Sequence, residues 1–215
     1  MAFCLLFFSV LSTLATTSYS LSCIQCVEAT DAPCSGTADV CAPSEDACIS
    51  KYALTSIGGI QISKLFVRGC GTRSQCSISG SLSIPLSRMV ASTTCCYTDR
   101  CMPSRPILPP APTNLNGVVC KTCQGLQDYP CESDEYINCV GNETKCISQF
   151  GTTSGAKTAL RGCSSPDLCK NPHEEGSFGG LKFSMKITCT DGTATLHYSL
   201  YLLSATTIWL FKVMN

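Results

Sequence analysis

The sequence predicts an all-β, disulfide-rich fold made of two tandem copies of one small domain. Three observations predict it: a high cysteine content, a repeat in the cysteine spacing, and intervening segments that alternate as strands do. The chain has 19 cysteines in 215 residues, a content typical of a disulfide scaffold and not of a reduced cytosolic protein. Basic and acidic residues balance at 15 each, so net charge gives no reason to expect nucleic acid as a partner.

The N-terminal element is an apolar run over Phe3–Leu14, followed by small residues at Ser18 and Ser20. The run is too short to span a bilayer, and the pattern is typical of a secretory signal peptide over residues 1–20. Cleavage after Ser20 would also remove Cys4, which leaves an even number of cysteines that can pair completely. We therefore expect a secreted protein in an oxidising compartment.

The cysteine spacing occurs twice along the chain. Both copies open with C-x-x-C and a further cysteine after seven residues, and both contain the tripeptides C-I-S and R-G-C. This self-similarity predicts two copies of one domain, over residues 21–102 and 120–190. The first copy contains Cys23, Cys26, Cys34, Cys41, Cys48, Cys70, Cys76, Cys95, Cys96 and Cys101. The second contains Cys120, Cys123, Cys131, Cys139, Cys146, Cys163, Cys169 and Cys189.

The segment between the copies, residues 103–119, is rich in proline. Proline cannot donate to a strand ladder or continue a helix, so the segment predicts an extended, fairly stiff linker. Within the copies, Leu181–Cys189 alternates apolar and polar residues and predicts a half-buried strand. Gly58-Gly59 predicts a hairpin turn, as does Ser154-Gly155 in the second copy. No stretch of the mature chain combines helical periodicity with caps.

The pattern resembles the three-finger domain of the lymphocyte-antigen/urokinase-receptor superfamily. The features that carry the resemblance are C-x-x-C at the mature N-terminus, R-G-C before the sixth cysteine, and Cys95-Cys96 followed by Cys101. The tandem arrangement resembles the gamma-type phospholipase A2 inhibitors. The resemblance implies five bridges in the first copy: Cys23–Cys48, Cys26–Cys34, Cys41–Cys70, Cys76–Cys95 and Cys96–Cys101. It implies four in the second: Cys120–Cys146, Cys123–Cys131, Cys139–Cys163 and Cys169–Cys189.

The second copy departs from this pattern at its end. Thr190 stands where the first copy has Cys96, and no cysteine follows, so we expect the C-terminal stretch to be untethered. Residues 191–215 form the C-terminal tail, in which the small residues Asp191 and Gly192 precede a mostly apolar stretch. These features together resemble a glycosylphosphatidylinositol (GPI) anchor signal with attachment at Asp191 or Gly192. The alternative is an ordinary secreted end.

Polar motifs give little support for catalysis. The two C-x-x-C motifs lie within ladders of cysteines in an oxidising compartment, which favours structural disulfides over zinc or redox chemistry. His173-Glu174-Glu175 is interpreted as a solvated loop tip, and one mature histidine is poor material for a Ser-His-Asp site. Asn142-Glu143-Thr144 is a glycosylation sequon. We expect no enzymatic activity, no cofactor and no metal.

The sequence therefore predicts a non-catalytic extracellular protein that binds another protein through loops on a disulfide-locked base. Three alternatives stay open: an inhibitor of a secreted phospholipase A2, a GPI-anchored surface receptor or adhesion protein, and a secreted pheromone-like signal. A membrane contact is expected only through the lipid anchor. Two apolar clusters, Leu65–Val67 and Ile84–Leu86, could belong either to the core or to a contact surface.

Overall fold

The computed structural model describes residues 20–30, 32, 34–126, 131, 133–178 and 181–194. The predicted signal peptide, apart from Ser20, and the apolar tail from residue 195 onwards lie outside the described residues. The all-β prediction is confirmed: within the described ranges the regular structure consists of strands and two short 3-10 helices, Arg73–Gln75 and Pro166–Cys169.

Six strands form the first domain and eight the second. The first six are β1 (Ser22–Glu28), β2 (Thr37–Val40), β3 (Ala47–Ile57), β4 (Ile60–Gly71), β5 (Ser79–Ile84) and β6 (Ser87–Cys96). The other eight are β7 (Leu115–Lys121), β8 (Cys123–Leu126), β9 (Tyr136–Val140), β10 (Lys145–Thr153), β11 (Ala156–Ser164), β12 (His173–Phe178), β13 (Leu181–Asp191) and β14 (Thr193–Ala194).

The two domains share one antiparallel sheet. Its strand order is β12-β13-β10-β11-β5-β6-β3-β4-β1-β2, with β8 also paired to β11. The domains meet where β11 pairs with β5, through the register pairs Cys163–Ser83 and Ser164–Leu82. A separate three-stranded sheet, β14-β7-β9, closes the base of the second domain.

Both predicted hairpin turns are confirmed. Strands β3 and β4 are joined by Gly58 and Gly59, whose φ angles of 57° and 82° suit the turn that matches strand twist. Strands β10 and β11 are joined in the same way by Ser154 and Gly155, with φ angles of 49° and 85°. The predicted strand near the C-terminus is also confirmed as β13, in which Ile187 is buried while its neighbours are exposed.

The core is formed by two kinds of side chain, cysteine and aliphatic. Each domain has its own buried cluster of cysteines at the base, Cys23, Cys41 and Cys48 in the first and Cys120, Cys139 and Cys163 in the second. The aliphatic cluster lies between the domains: Leu82 and Ile84 of β5 pack with Ile147 of β10 and Ile187 of β13. Small disulfide-rich domains bury little apolar surface alone, so pairing the domains enlarges the core.

The proline-rich segment is held against the first domain by hydrogen bonds to its carbonyls. The Pro103 carbonyl accepts hydrogen bonds from Ser50 Oγ at 3.0 Å and from the Arg68 guanidinium at 3.3 Å. Further on, the Pro112 carbonyl accepts a hydrogen bond from Arg88. Strand β7 of the second domain begins at Leu115, within the stretch 103–119 that the sequence predicts as linker.

The structure corrects two expectations. Residues 190–194 are tethered, because β13 continues to Asp191 and β14 pairs with β7 through Thr193–Val119 and Ala194–Val118. The segment that begins at His173 is not a loop tip. It forms the edge strand β12, whose backbone pairs with β13 from His173–Lys186 to Phe178–Leu181, because a strand partner satisfies backbone groups that a loop would leave to water.

Candidate functional site

The structure joins the cysteines of the first domain in the five pairs that the family resemblance implies. These are Cys23–Cys48, Cys26–Cys34, Cys41–Cys70, Cys76–Cys95 and Cys96–Cys101. In the second domain it also joins the implied four, Cys120–Cys146, Cys123–Cys131, Cys139–Cys163 and Cys169–Cys189. Neighbouring bridges stack closely, and the Sγ atoms of Cys23 and Cys41 lie 3.3 Å apart.

This stacking brings three sulfur atoms together in each domain at distances that would suit a metal ion. All of them belong to disulfides. A cysteine binds a metal ion as a thiolate, and a sulfur in a disulfide is not one. These clusters therefore hold the hairpins together at the base of each domain.

The apolar tip is the exposed end of the first domain, which we define as Ile57, Ile60, Ile62 and Leu86. Ile57 and Ile60 face each other across the Gly58-Gly59 turn, and Ile57 also pairs with Ser87 of β6. The Gly58 amide donates to the Leu86 carbonyl at 2.8 Å, which joins the two hairpin ends into one surface. Ile60 is 73% exposed and Leu86 is 82% exposed.

Leu86 has an unusual backbone conformation. It follows Pro85 in the two-residue turn between β5 and β6 and has a φ angle of 62°. A proline followed by a residue with positive φ is the pattern of a type II turn, in which the second position favours glycine. A bulky residue there costs on the order of 1–2 kcal/mol. Because Leu86 is exposed, packing does not offset that cost.

The corresponding hairpin end of the second domain is polar. Its turn residues Ser154 and Gly155 are exposed, as are Thr152, Ala156 and Lys157 on either side. The hairpin and four of the disulfides are the same in the two domains, so the isoleucines of the first are not required by the fold. A set of large apolar side chains held in water without a folding role is typical of a binding surface.

The charges around the apolar tip are basic. Residues 53–63 and 83–87 carry no ionisable side chain, and the next charged residues along these strands are Lys51, Lys64 and Arg88. Arg88 also has a structural role, because its Nε donates to Ser83 Oγ at 3.0 Å. Lys51 is paired with Glu174 at 3.7 Å. Lys64 and Arg88 therefore set the charge next to the tip, which favours a partner surface that is apolar at its centre and neutral or acidic at its edge.

A buried polar cluster lies at the seam where the two domains meet. Glu143, at the turn before β10, is completely buried, and its Oε1 accepts hydrogen bonds from Ser81 at 2.7 Å and Ser83 at 2.8 Å. Its Oε2 has no hydrogen-bond partner among the described residues. Ser165 completes the seam, because its Oγ accepts from the Ser81 amide at 3.1 Å. A buried carboxylate on hydroxyl donors fixes the relative register of the two domains.

The sequon lies on this seam. Asn142 is exposed beside the buried Glu143, and the carbonyls of Gly141 and Glu143 both accept from the Asn116 side-chain amide, at 3.0 Å and 3.1 Å. The loop is therefore rigid. The burial of Glu143 could not be predicted from sequence, because a glutamate inside a sequon is ordinarily a surface residue and its partners Ser81 and Ser83 belong to the other domain.

The two residues proposed for anchor attachment lie between paired strands. Asp191 is the last residue of β13, and Gly192 packs against β7 so closely that an added Cβ would be 2.1 Å from Val118 Cγ1. The Lys145 ammonium donates a hydrogen bond to Asp191 and attracts it by charge, which lowers the pKa of that carboxyl from 3.8. Attachment at Asp191 or Gly192 would remove strand β14.

The two glutamates of β12 contact different partners. Glu174 forms an ion pair with Lys51 of the first domain at 3.7 Å, and Glu175 accepts from Ser184 Oγ at 3.0 Å. These contacts give Glu174 a role between the domains. Within the residues that the structure describes, no helix is long and apolar enough to cross a membrane.

Comparison with known proteins supplies the context for this geometry. A family model described as "u-PAR/Ly-6 domain" matches residues 19–104 and 116–196. The urokinase plasminogen activator surface receptor of Mus musculus is 25% identical over 150 residues, which cover 68% of this chain and 45% of the receptor. The Rattus norvegicus receptor is 24% identical over 150 residues, covering 68% and 44%. The chain thus spans less than half the length of these relatives.

A solved structure is also similar to the chain. The crystal structure of mouse TEX101 matches with a TM-score of 0.31 and 16% sequence identity, over 78% of this chain and 96% of that one.

Proposed function

The chain belongs to the u-PAR/Ly-6 domain family. We propose that, like typical domains of this family, it is a non-catalytic extracellular binding protein, and that it recognises a protein partner through its apolar tip. The disulfide-locked base holds the hairpins in place, and a rigid scaffold reduces the ordering cost of binding. The second domain sets the orientation of the first through the shared sheet.

The observation that carries the proposal is Leu86. It combines a positive φ of 62° with 82% exposure, so the chain bears backbone strain in order to display an apolar side chain to water. Strain of this kind concentrates at functional sites. Ile57, Ile60 and Ile62 extend the surface around it, and burial of their side chains against a partner would remove apolar area from water, which favours binding.

The first partner class to consider is a secreted phospholipase A2, following the resemblance to the gamma-type inhibitors. A surface receptor is the other class. The second candidate function, a GPI-anchored receptor, is favoured by the small residues Asp191 and Gly192 ahead of the apolar tail. We further propose that residues 1–20 are removed on secretion and that Asn142 is glycosylated.

The test is capture of binding partners by the correctly oxidised protein from a panel of displayed extracellular proteins that includes secreted phospholipases A2. The double variant Ile60→Ser/Leu86→Ser should bind at least about 30-fold more weakly, as expected when a hot spot of about 2 kcal/mol is lost. The matched control is Lys157→Ala at the polar tip of the second domain, which should bind as the parent does. Equal binding by the double variant and the parent would reject the apolar tip.

The two candidate functions differ in a second measurement. Inhibition of a secreted phospholipase A2 at near-stoichiometric amounts supports a free inhibitor. Release of the protein by phosphatidylinositol-specific phospholipase C, from cells that express the full sequence, supports the anchored receptor.

A further inference from the structure

A cleft opens where the proline-rich segment passes between the two domains. Its volume is about 440 Å³, within the range of sites that hold a small molecule. The cleft is lined by Pro109, Pro110 and Pro112 and also by Ser79 and Thr113, neither of which is buried. Its lining therefore combines apolar rings with hydroxyl groups.

Asn142 lines the same cleft. Its loop is held on both sides, because the Gly141 amide donates to the Asn114 carbonyl at 2.8 Å and Glu143 is fully buried at the seam. Gly141 also packs against Pro112, where an added Cβ would lie 2.3 Å from the proline Cβ. A group attached to the Asn142 side chain would thus begin at the rim of the cleft.

We propose that the cleft is the seat of the first sugar of an N-linked glycan on Asn142. Transfer from a lipid-pyrophosphate-linked oligosaccharide forms the bond from Asn142 Nδ2 to sugar C1, breaks the C1–phosphate bond and releases the amide proton with the lipid pyrophosphate. The first sugar is an N-acetylated pyranose with C–H faces and a rim of hydroxyls. The proline rings suit the first feature, and the hydroxyls of Ser79 and Thr113 suit the second.

The consequence is mechanical. The first sugar would bridge the second domain, through Asn142, to the proline-rich segment that is fixed to the first domain at Pro103 and Pro112. It would therefore restrain opening of residues 107–113 and cover the seam at Glu143. The inference rests on the extracellular placement in the proposed function and not on the apolar tip.

The experiment uses the full chain, secreted behind a heterologous leader from cells that make oligomannose glycans. Occupancy is read as a mass shift on complete deglycosylation. Hydrogen exchange is then measured at the Ile107, Leu108, Ala111 and Thr113 amides in the glycosylated protein, in protein trimmed enzymatically to a single sugar, and in Asn142→Gln. Thr144→Ser, which keeps the sequon, is the matched control, and Thr144→Ala is a second variant without it.

We expect the glycosylated, trimmed and Thr144→Ser proteins to exchange alike, and Asn142→Gln and Thr144→Ala to exchange about tenfold faster. An absent mass shift overturns the inference, as does equal exchange in all five proteins. Protection in the fully glycosylated protein that is lost on trimming also overturns it, because distal sugars would then provide the shielding. Partner binding through the apolar tip, measured on the same proteins, reports separately on the proposed function.

Discussion

The two domains close their bases differently at the same place. In the first domain the chain turns back after β6 and is tied to the residue before the first cysteine: the Arg100 amide donates to the Ser22 carbonyl, and the Ser22 amide donates to Asp99 Oδ1, both at 2.8 Å. The bridge Cys96–Cys101 locks this turn covalently.

The second domain achieves the same closure without a bridge. Thr190 replaces the cysteine, and the chain continues through Gly192 into β14, where Thr193 pairs with Val119, the residue before the first cysteine of that domain. Thr193 Oγ1 also donates to the Val119 carbonyl at 3.2 Å. The comparison teaches that the fold requires closure of the base, whereas the disulfide is one of two ways to obtain it.

The largest expected effect comes from blocking the strand closure. In Gly192→Ala the new Cβ would lie 2.1 Å from Val118 Cγ1, and Val118 is β-branched and cannot easily turn away. We expect a loss of about 3 kcal/mol in the free energy of unfolding, as for overpacking of a tight site. Denaturant unfolding monitored by circular dichroism measures it.

Two controls accompany this variant. Thr98→Ala at the equivalent position of the first domain should change stability little, because a side chain is already accommodated there. Val118→Ala should restore most of the loss when it is combined with Gly192→Ala, since the clash partner is removed. If Gly192→Ala were as stable as the parent, β14 would not close the second domain.

The next effect concerns the covalent closure of the first domain. Replacing Cys96 and Cys101 together by serine removes a disulfide that closes a loop of sequence separation 5. The chain-entropy relation gives about 2 kcal/mol for the resulting loss in the free energy of unfolding. The hydrogen bonds of Asp99 and Arg100 to Ser22 should keep the turn in place, so partner binding should persist. Thermal unfolding and binding assays measure the two quantities. Loss of folding altogether would show that the two closures are not equivalent.

A third prediction compares the two hairpin ends. Leu86→Gly should stabilise the protein by about 1 kcal/mol because glycine accepts the positive φ without strain, yet it should weaken partner binding. Ser154→Gly relieves the similar φ of 49° in the second domain and should stabilise without affecting binding. Urea unfolding and partner affinity, measured on both variants, separate the two roles. Unchanged binding by Leu86→Gly would contradict a functional reason for the strain.

Much of the fold follows from local sequence. The glycines of the β3–β4 turn, the alternation of β13 and the cysteine repeat each depend on residues close in the chain, so hairpins and domain copies were predictable. The nine disulfide pairs needed the family resemblance, because spacing alone allows many pairings. The closure by β14 could not be predicted, since no cysteine marks it and its partner β7 lies more than 70 residues away.

The site was less predictable because it depends on contacts between domains. Ile84 and Leu86 lie two residues apart and look alike in sequence, but Ile84 is buried against Ile147 and Ile187 of the second domain whereas Leu86 is exposed. Only the contact between the two domains gives these two residues different burial. A proline followed by a bulky residue in a two-residue turn is the one local signal that could have singled out Leu86.

The smallest effect should come from an ion pair that only the second domain has. Asp191 is paired with Lys145, whereas the equivalent positions of the first domain are Tyr97 and Ala47, and Tyr97 packs under Arg73 at 4.7 Å. Because the Lys145 hydrogen bond and charge lower the Asp191 pKa from 3.8 in the folded state, the pair stabilises the protein fully above that value and its contribution is lost as pH falls through the folded pKa. The difference in melting temperature between the parent and Asp191→Asn should therefore be small at neutral pH, reduced further by salt, and absent in strong acid. A difference that grew on acidification would show that Asp191 closes the second domain by some means other than its charge.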